Sequence, residues 1–587
     1  MSAEMAIQDF VHKLEEGGWA KWIRLALLIA LVGYVVNLWM FRDSGFRGLS
    51  NEKAIEQAQI SRELARGNGF STKVIRPAAL SQFEAHKGSF PLAETPDTYH
   101  APLSPAINSV FLRLVKGTWK MTQKDVVYTS DKVIAAVALV FFFLTVTVCF
   151  FTGRRLFDPK LATMSACFLL ASQTLWDFSL TGLPQMLMMF LFSVACYFMV
   201  RAVEAHVAKR NTLVWTIGAA IAFGLLALTH ALTIFLFVGA LLFVLICLRP
   251  RGRDAVIMLA VFAVIYSPWM VRNYQVCGNP LGLGWYSGLS SILGTESEVM
   301  RSMSFVEKVK EAGPEVYGEK IRAGVLNQFS RIYEYFGSIL LAPVFFVSLL
   351  HLFKRPEVAL FRWCILSMWM LGVFGMAVFG LGMSVYGSPG ALDPNNLHIL
   401  LSPFATFYGL AFVLILWSRL ELNHPVFRYS FFGLLYFISA LPFLSQLIEL
   451  HQAPKGRVQW PPYVAPFIAV LGEYTTEREI IASDVPWAVA WYADRKSLWL
   501  PMTVADFISL NDYNRLGGQM VGMYLTPVTG HRGFINEVLK GEYKEWAPFI
   551  MRQVNMKDFP LRAVTGLPVE NECVFYSDRD RWSNRED

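Results

Sequence analysis

Glu52 and Glu56 stand four residues apart, so on a helix they share one face. A carboxylate can take a proton from an attacking hydroxyl. Arginine and histidine can hold an anion such as a departing phosphate. The same stretch of chain carries Arg76, Asp97 and His100, and Arg272 and His398 follow much later. Glu56, Glu52 and Asp97 are therefore candidate bases, with Glu56 first because it lies one turn deeper in its helix. Arg76, His100, Arg272 and His398 are candidate phosphate holders. Each also has a plainer reading. The glutamates could be a solvated helix face, Asp97 could cap a helix starting near Pro102, and His100 could pack within its loop. Arg272 could snorkel beside Trp269, and His398 could cap the start of a helix.

The elements that must position these residues follow from an uneven charge distribution. Of 587 residues, 54% are hydrophobic and only 17% are charged, against roughly 25% in soluble chains. The charge collects in 42–131, 272–333 and 449–587. The remainder holds apolar runs at 22–40, 132–152, 160–176, 184–200, 213–229, 231–248, 255–272, 335–353, 360–383, 398–417 and 429–448. Each is about long enough to span a bilayer as a helix.

The net charge of +7 sits largely in short clusters beside these runs, which is a topology signal and argues against a nucleic-acid partner. With a cytoplasmic N-terminus, alternate short loops carry clusters such as Arg154-Arg155, Lys209-Arg210, Arg249 with Arg251 and Arg253, Lys354-Arg355, and Arg419 with Arg428. The turns 177–183 and 384–397 carry no Lys or Arg. About eleven spans then put the tail outside, in a multi-pass protein of a cytoplasmic (inner) membrane. Trp22–Met40 reads as a retained anchor rather than a cleaved signal. On this topology Asp177 and His230 lie at the outer ends of spans. An ionisable group near membrane depth is costly, so both join the candidates, although both could simply sit at the water boundary.

The predicted architecture is an all-α polytopic membrane domain, 1–459, with large outer loops 42–131 and 273–333. A small extracytoplasmic α/β domain follows at 460–587. The first outer loop opens with a helix from Asn51 to Arg66, which Ser50 can cap and Gly67-Asn68-Gly69 stops. In the tail, 479–484, 497–500, 521–525 and 573–576 read as strands, and 485–493 and 503–511 as helices. That alternation implies a partly parallel sheet. Five of the seven cysteines lie in apolar runs, leaving Cys277 and Cys573 as an optional disulfide pair.

No Walker phosphate loop, G-x-S-x-G elbow or H-E-x-x-H pair is present. Gly278-Asn279-Pro280 with Gly282 and Gly284 follows a span, not a strand, and so reads as a loop. Three stretches are distinctive together. They are the first-loop helix running into Gly67-Asn68-Gly69-Phe70, His100-Ala101-Pro102-Leu103-Ser104-Pro105, and Pro268-Trp269-Met270-Val271-Arg272-Asn273-Tyr274. In this order, behind one anchor helix, they resemble the GT-C class of membrane glycosyltransferases. The resemblance is to the bacterial branch related to protein O-mannosyltransferases and lipid A aminoarabinose transferases, and it covers roughly residues 20–450 in layout.

The resemblance implies a transferase that takes a sugar from a polyprenyl-phosphate carrier at the outer face, with a first-loop carboxylate as base for the acceptor. That acceptor could be a glycan, lipid or protein. Relatives usually show an Asp-Glu pair at the start of the helix. Here Asn51-Glu52 stands there, and Glu52, Glu56 and Glu63 are the nearby carboxylates. No cofactor and no metal are expected, since the loop lacks a tight Asp-x-Asp. Membrane lipids complete the expected partners. Two rival readings are a transporter or flippase of a lipid-linked sugar, and a non-catalytic assembly protein for envelope polysaccharide. Gathered loop charges and the absence of half-chain symmetry speak against the transporter.

Overall fold

The computed structural model describes residues 20–40, 46, 48–122, 125, 127–250, 252–290, 292, 295–303, 313–338, 340–381, 392–420, 425–452, 464–529, 541–554, 559–566 and 573–583. Part of the predicted turn 384–397 therefore lies outside the described residues. The chain divides into two units, Met1–Arg47 with Leu441–Gln459, and Gly48–Ala440 with Trp460–Asp587. Among its described residues the first holds the helix Ala20–Met40 and the end of the helix Pro425–Gln452.

Among the described residues, six helices are long and apolar enough to cross a membrane: Thr129–Leu156, Gln185–Val207, Arg253–Cys277, Pro356–Phe379, His398–Ser418 and Val426–Gln452. Shorter apolar helices at Ala26–Leu38, Pro159–Leu170, Leu213–Ala227 and Ala231–Cys247 fall on four further predicted spans. The run 335–353 differs from a regular span. Two short helices, Ile332–Tyr335 and Leu341–Ser348, replace the single one predicted there. A broken helix needs protein around its free backbone groups. Here the carbonyl of Tyr335 accepts from Asn396 at one end and that of His351 accepts from Arg362 at the other.

The helix Glu52–Arg66 forms as its sequence dictates, with one shift. Its cap is Asn51, not Ser50, with the side chain accepting from the Lys53 N–H at 3.0 Å. Gly67, at φ 94°, ends it by donating to the carbonyls of Glu63 and Leu64, a conformation that costs glycine little. The helix has no solvated charged face, since Glu56, Arg62 and Glu63 are all buried.

The tail builds a six-stranded sheet from β1 (Val74–Ile75), β2 (Ile480–Ser483), β3 (Lys496–Trp499), β4 (Met520–Leu525), β5 (Ala563–Gly566) and β6 (Val574–Ser577). The order is β1-β3-β2-β4-β6-β5, with β1, β3, β2 and β4 parallel and β6 antiparallel to both of its neighbours, β4 and β5. The β1 strand comes from the first large loop and pairs Val74 with Ser497. β2 and β4 are buried along their whole length, as expected of strands covered on both faces.

The predicted helix 485–493 is present but changes type. Pro486–Ala488 is α-helical, Val489–Ala493 is a π turn, and Asp494 ends it at φ 57°. That carboxylate receives Arg62 and Arg66, and lies in an ion pair with Lys73. Arg301 from the second large loop donates to the carbonyls of Leu500, Pro501 and Glu542. Asp131 receives the Trp491 indole at 2.7 Å and the Tyr492 hydroxyl at 3.1 Å. No cysteine is in a disulfide, so Cys277 and Cys573 are not bonded to each other.

Candidate active site

The first large loop folds four of the predicted residues into one buried cluster. Glu56, from the first-loop helix, is ion-paired with Arg76, which caps the next helix, Pro77–Lys87. His100 stands between two carboxylates, with Nε2 3.1 Å from Glu56 and Nδ1 3.4 Å from Asp97. Asp97 also accepts the backbone N–H of His100 at 2.7 Å. It therefore closes a local turn and does not cap the helix Leu103–Leu114, whose capping residue is Pro102.

Burial alone would raise the carboxylates and lower the imidazole. The charges overcome it. Against that desolvation, Arg76 and His100 hold Glu56 below the ordinary carboxylate range, and His100 and Arg76 do the same for Asp97. Asp97 and Glu56 in turn hold His100 above its ordinary value. The group is a mutually neutralised ion cluster.

One turn earlier the same helix presents a different environment. Lys53 donates to both oxygens of Glu296, at 3.0 and 2.9 Å. Glu296 also receives the hydroxyls of Tyr99 and Ser287. Despite burial, Lys53 and these hydroxyls push its carboxyl down to about 2. Glu296 reaches the first loop because Gly282, at φ 67°, lies against the Thr98 carbonyl, where a Cβ would meet oxygen at 2.2 Å. Leu283 N–H then bonds that same carbonyl at 2.8 Å. Glu52 is the exception in this setting. Its Oε2 is buried and accepts no hydrogen bond. Burial, reinforced by Glu56 and Glu296 against the pull of Lys53, pushes its carboxyl up to about 8.

Two cavities meet here. The polar one is lined by Glu52, Glu56 and Arg76, by Asp393–Asn395, and by Trp487 and Trp499 of the tail. The other, of 330 Å³, is walled mainly by apolar groups including Phe235, Tyr266, Trp269 and Trp285, with His100 and His230 among its polar lining residues. Lys53, Tyr99 and Phe379 line both.

The remaining candidates fall elsewhere. Arg272 lines neither cavity. It donates to the carbonyls of Asp97 and Phe70 and lies over the rings of Trp269 and Phe70, so it pins the loop to the end of its helix. His398 is buried away from both cavities. It accepts from Trp369 at 3.2 Å and faces the Gln328 amide oxygen at 3.0 Å. It does not cap the helix that follows. Asp177 is half-buried on the helix Gln173–Thr181 and lines neither cavity. His230 does line the apolar cavity, and its Nδ1 is buried without a hydrogen-bond partner.

Sequence reasoning missed Lys53, Tyr99, Glu296 and the two tail tryptophans. The only local mark near Glu296 is the capping box of Thr295 and Glu298, which shows a helix start and nothing of its partners. Among the described residues no group of three or more His, Cys, Asp or Glu is arranged to hold a metal ion.

Residues 124–271 match the family model described as dolichyl-phosphate-mannose-protein mannosyltransferase. No curated protein matches the chain by sequence. Among solved structures, ArnT from Cupriavidus metallidurans bound to undecaprenyl phosphate is similar with a TM-score of 0.51 at 14% identity, covering 95% of this chain and 98% of that one. Its apo form gives 0.50 at 15% over the same shares. The archaeal oligosaccharyltransferase AglB from Archaeoglobus fulgidus, in complex with an inhibitory peptide and a dolichol-phosphate, gives 0.50 at 11% identity over 87% of this chain and 70% of that one. Over 95% of its length the chain shares the fold of ArnT, and residues 124–271 within it match the mannosyltransferase family model.

Proposed function

We propose that this chain transfers a sugar from a polyprenyl-phosphate carrier to an acceptor hydroxyl at the outer face of the cytoplasmic membrane, with its N-terminus cytoplasmic and its tail outside. One observation carries the reading. A polar cavity holding a carboxylate whose Oε2 accepts no hydrogen bond among the described residues adjoins an apolar cavity, and an ammonium group, that of Lys53, lines both. The apolar cavity suits the first units of a lipid chain, and two of the similar structures hold a polyprenyl or dolichyl phosphate. In the reaction the acceptor oxygen attacks the anomeric carbon, the bond from that carbon to the phosphate oxygen breaks, and the phosphate leaves with the electron pair.

Glu52 takes the acceptor's proton. It stands free of cations at hydrogen-bonding distance, and a base near the working pH is the efficient one. Glu56, the sequence's first choice, is committed to Arg76 and His100. With Asp97 it keeps those cations in place. Lys53 spends two donors on Glu296 and keeps a third for the carrier phosphate. Arg76, stacked on Tyr99 at 4.3 Å, adds positive charge nearby.

The test is sugar transfer from a purified polyprenyl-phosphate sugar in nanodiscs, with donor binding measured separately. Glu52→Gln should remove turnover and spare donor binding. Normal turnover in Glu52→Gln would refute the assignment of the base. Movement of a sugar lipid across the bilayer by the unmodified protein, without transfer, would replace the enzyme by a transporter.

A further inference from the structure

At the opposite ends of the same helices lies a second large hollow, an open groove of 1240 Å³. It is framed by the ends of Gln185–Val207 and Ile234–Cys247 and by the starts of Leu213–Ala227, Arg253–Cys277 and Pro356–Phe379. Its cations are Lys209, Arg210, Arg249 and Arg253, and no carboxylate lines it among the described residues. All four are exposed. Arg253 is paired with Asp254, while Lys209, Arg210 and Arg249 form no ion pair among the described residues. The other wall is apolar, with Leu360 and with Trp363, which is 51% exposed.

Basic loops alone would be ordinary topology signals scattered along a membrane surface. Here two separate connections, one carrying Lys209 and Arg210 and the other Arg249 and Arg253, bring their cations to one hollow. Lys209 does so at φ 56°, a left-handed conformation that favours glycine and that a lysine adopts only at a backbone cost. Three helix starts add their partial positive charge to the same hollow. A cationic rim above an apolar wall with an interfacial tryptophan matches a phosphodiester joined to a glycerol and acyl chains. It matches a free anion less well, because a free anion has no use for the wall.

We infer that this groove binds the headgroup of an anionic membrane phospholipid, a site distinct from the one that holds the sugar carrier. Basic pockets between transmembrane helices hold such headgroups through the same chemistry.

The experiment uses the full chain, purified and delipidated in detergent, with bound lipid counted by native mass spectrometry. Phosphatidylglycerol and phosphatidylethanolamine with identical acyl chains are the probes. Phosphatidylglycerol should be retained at least about tenfold more strongly, and Arg210→Gln and Arg249→Gln should each weaken it about fivefold. Trp363→Ala should weaken it less, and it supplies a reading should a charge variant not fold. Arg419→Gln with Arg428→Gln, basic positions outside the groove, should leave retention unchanged. Equal loss in that control would reduce the effect to general surface charge and overturn the site. So would unaltered retention in the groove variants. Displacement of the lipid by millimolar inorganic phosphate would reassign the groove to a free anion. Sugar transfer is not measured, so failure of the proposed reaction and failure of this site remain separate results.

Discussion

The helix Glu52–Arg66 carries charge at both ends and uses it in opposite ways. At its far end Arg62, Glu63 and Arg66 join Lys73 and Asp494 in a closed network in which every charge has a counter-charge. At its near end Lys53 and Glu296 are paired with each other, but the Oε2 of Glu52 accepts no hydrogen bond among the described residues. The far end holds the tail to the loop. The near end keeps a carboxylate in reserve at a cavity wall. Two segments that look alike in composition are thus separated only by whether the fold supplies a partner, and an unpaired buried group is the one fitted to move a proton.

The sharpest way to break this contrast is to exchange the two ends' consequences. Glu52→Gln keeps size and hydrogen-bonding reach but cannot accept a proton, so turnover should fall by about 10²–10⁴-fold, with the thermal unfolding midpoint unchanged or higher. Asp494→Ala should do the converse. It strips the counter-charge from Arg62, whose side chain is 1% exposed, and should cost about 3 kcal/mol of stability, read as a lower unfolding midpoint and faster proteolysis of the tail. Turnover per folded molecule should be retained. If Asp494→Ala abolished turnover in intact protein, the far end would not be merely structural.

Lys53→Gln should weaken donor binding by about 10–100-fold, the range expected for one charge-assisted hydrogen bond, with a smaller change in the maximal rate. An unchanged affinity for the donor would remove Lys53 from the phosphate site.

The last effect is in pH. A base acts when deprotonated, so the rate should rise as pH increases through about 8, and Glu52→Gln should lack that limb. Stability moves the other way. Folded Glu52 keeps its proton up to about 8, whereas in the unfolded chain it loses it near 4.5. The folded state therefore binds more protons across that window, and stability should decline as pH rises through it. Equilibrium unfolding of the unmodified protein and the Glu52→Gln variant between those limits would expose the difference.

Much of the near end could be read from the chain itself. Asn51, the spacing of the two glutamates and Gly67 mark a helix and its limits by rules that act within a few residues. Arg76, Asp97 and His100 join it because one loop carries them all. That Arg76 and His100 fold back onto Glu56 and not onto Glu52 could not be read there, and the proposed choice between the two glutamates turns on it. Glu296 and Trp499 were out of reach for a related reason, since their partners lie hundreds of residues away in the chain. His398 shows the reverse situation. A histidine at the start of a span reads as a ligand until Trp369 and Gln328 are found beside it. Hydrophobic patterning located four strands of the tail but not β5, nor β1 in the first large loop, whose two residues are too few to show a period.

The borrowed strand also fixes an arithmetic of crossings. A hydrogen-bonded sheet cannot straddle a bilayer, because its ladder would break inside the hydrocarbon. Since β1 pairs with β3, Ile75 and Lys496 are on one side, and the chain between them must traverse the membrane an even number of times. Of about eleven expected traverses, all but the first lie in that interval. The broken stretch from Tyr335 to His351 cannot be struck from the count by itself, since the remainder would be odd and the two strands would be left on opposite sides. On the expected count of traverses, that parity keeps the interrupted helix among the passages. Reporters fused before β1 and after β3 should therefore always agree, whatever the true total.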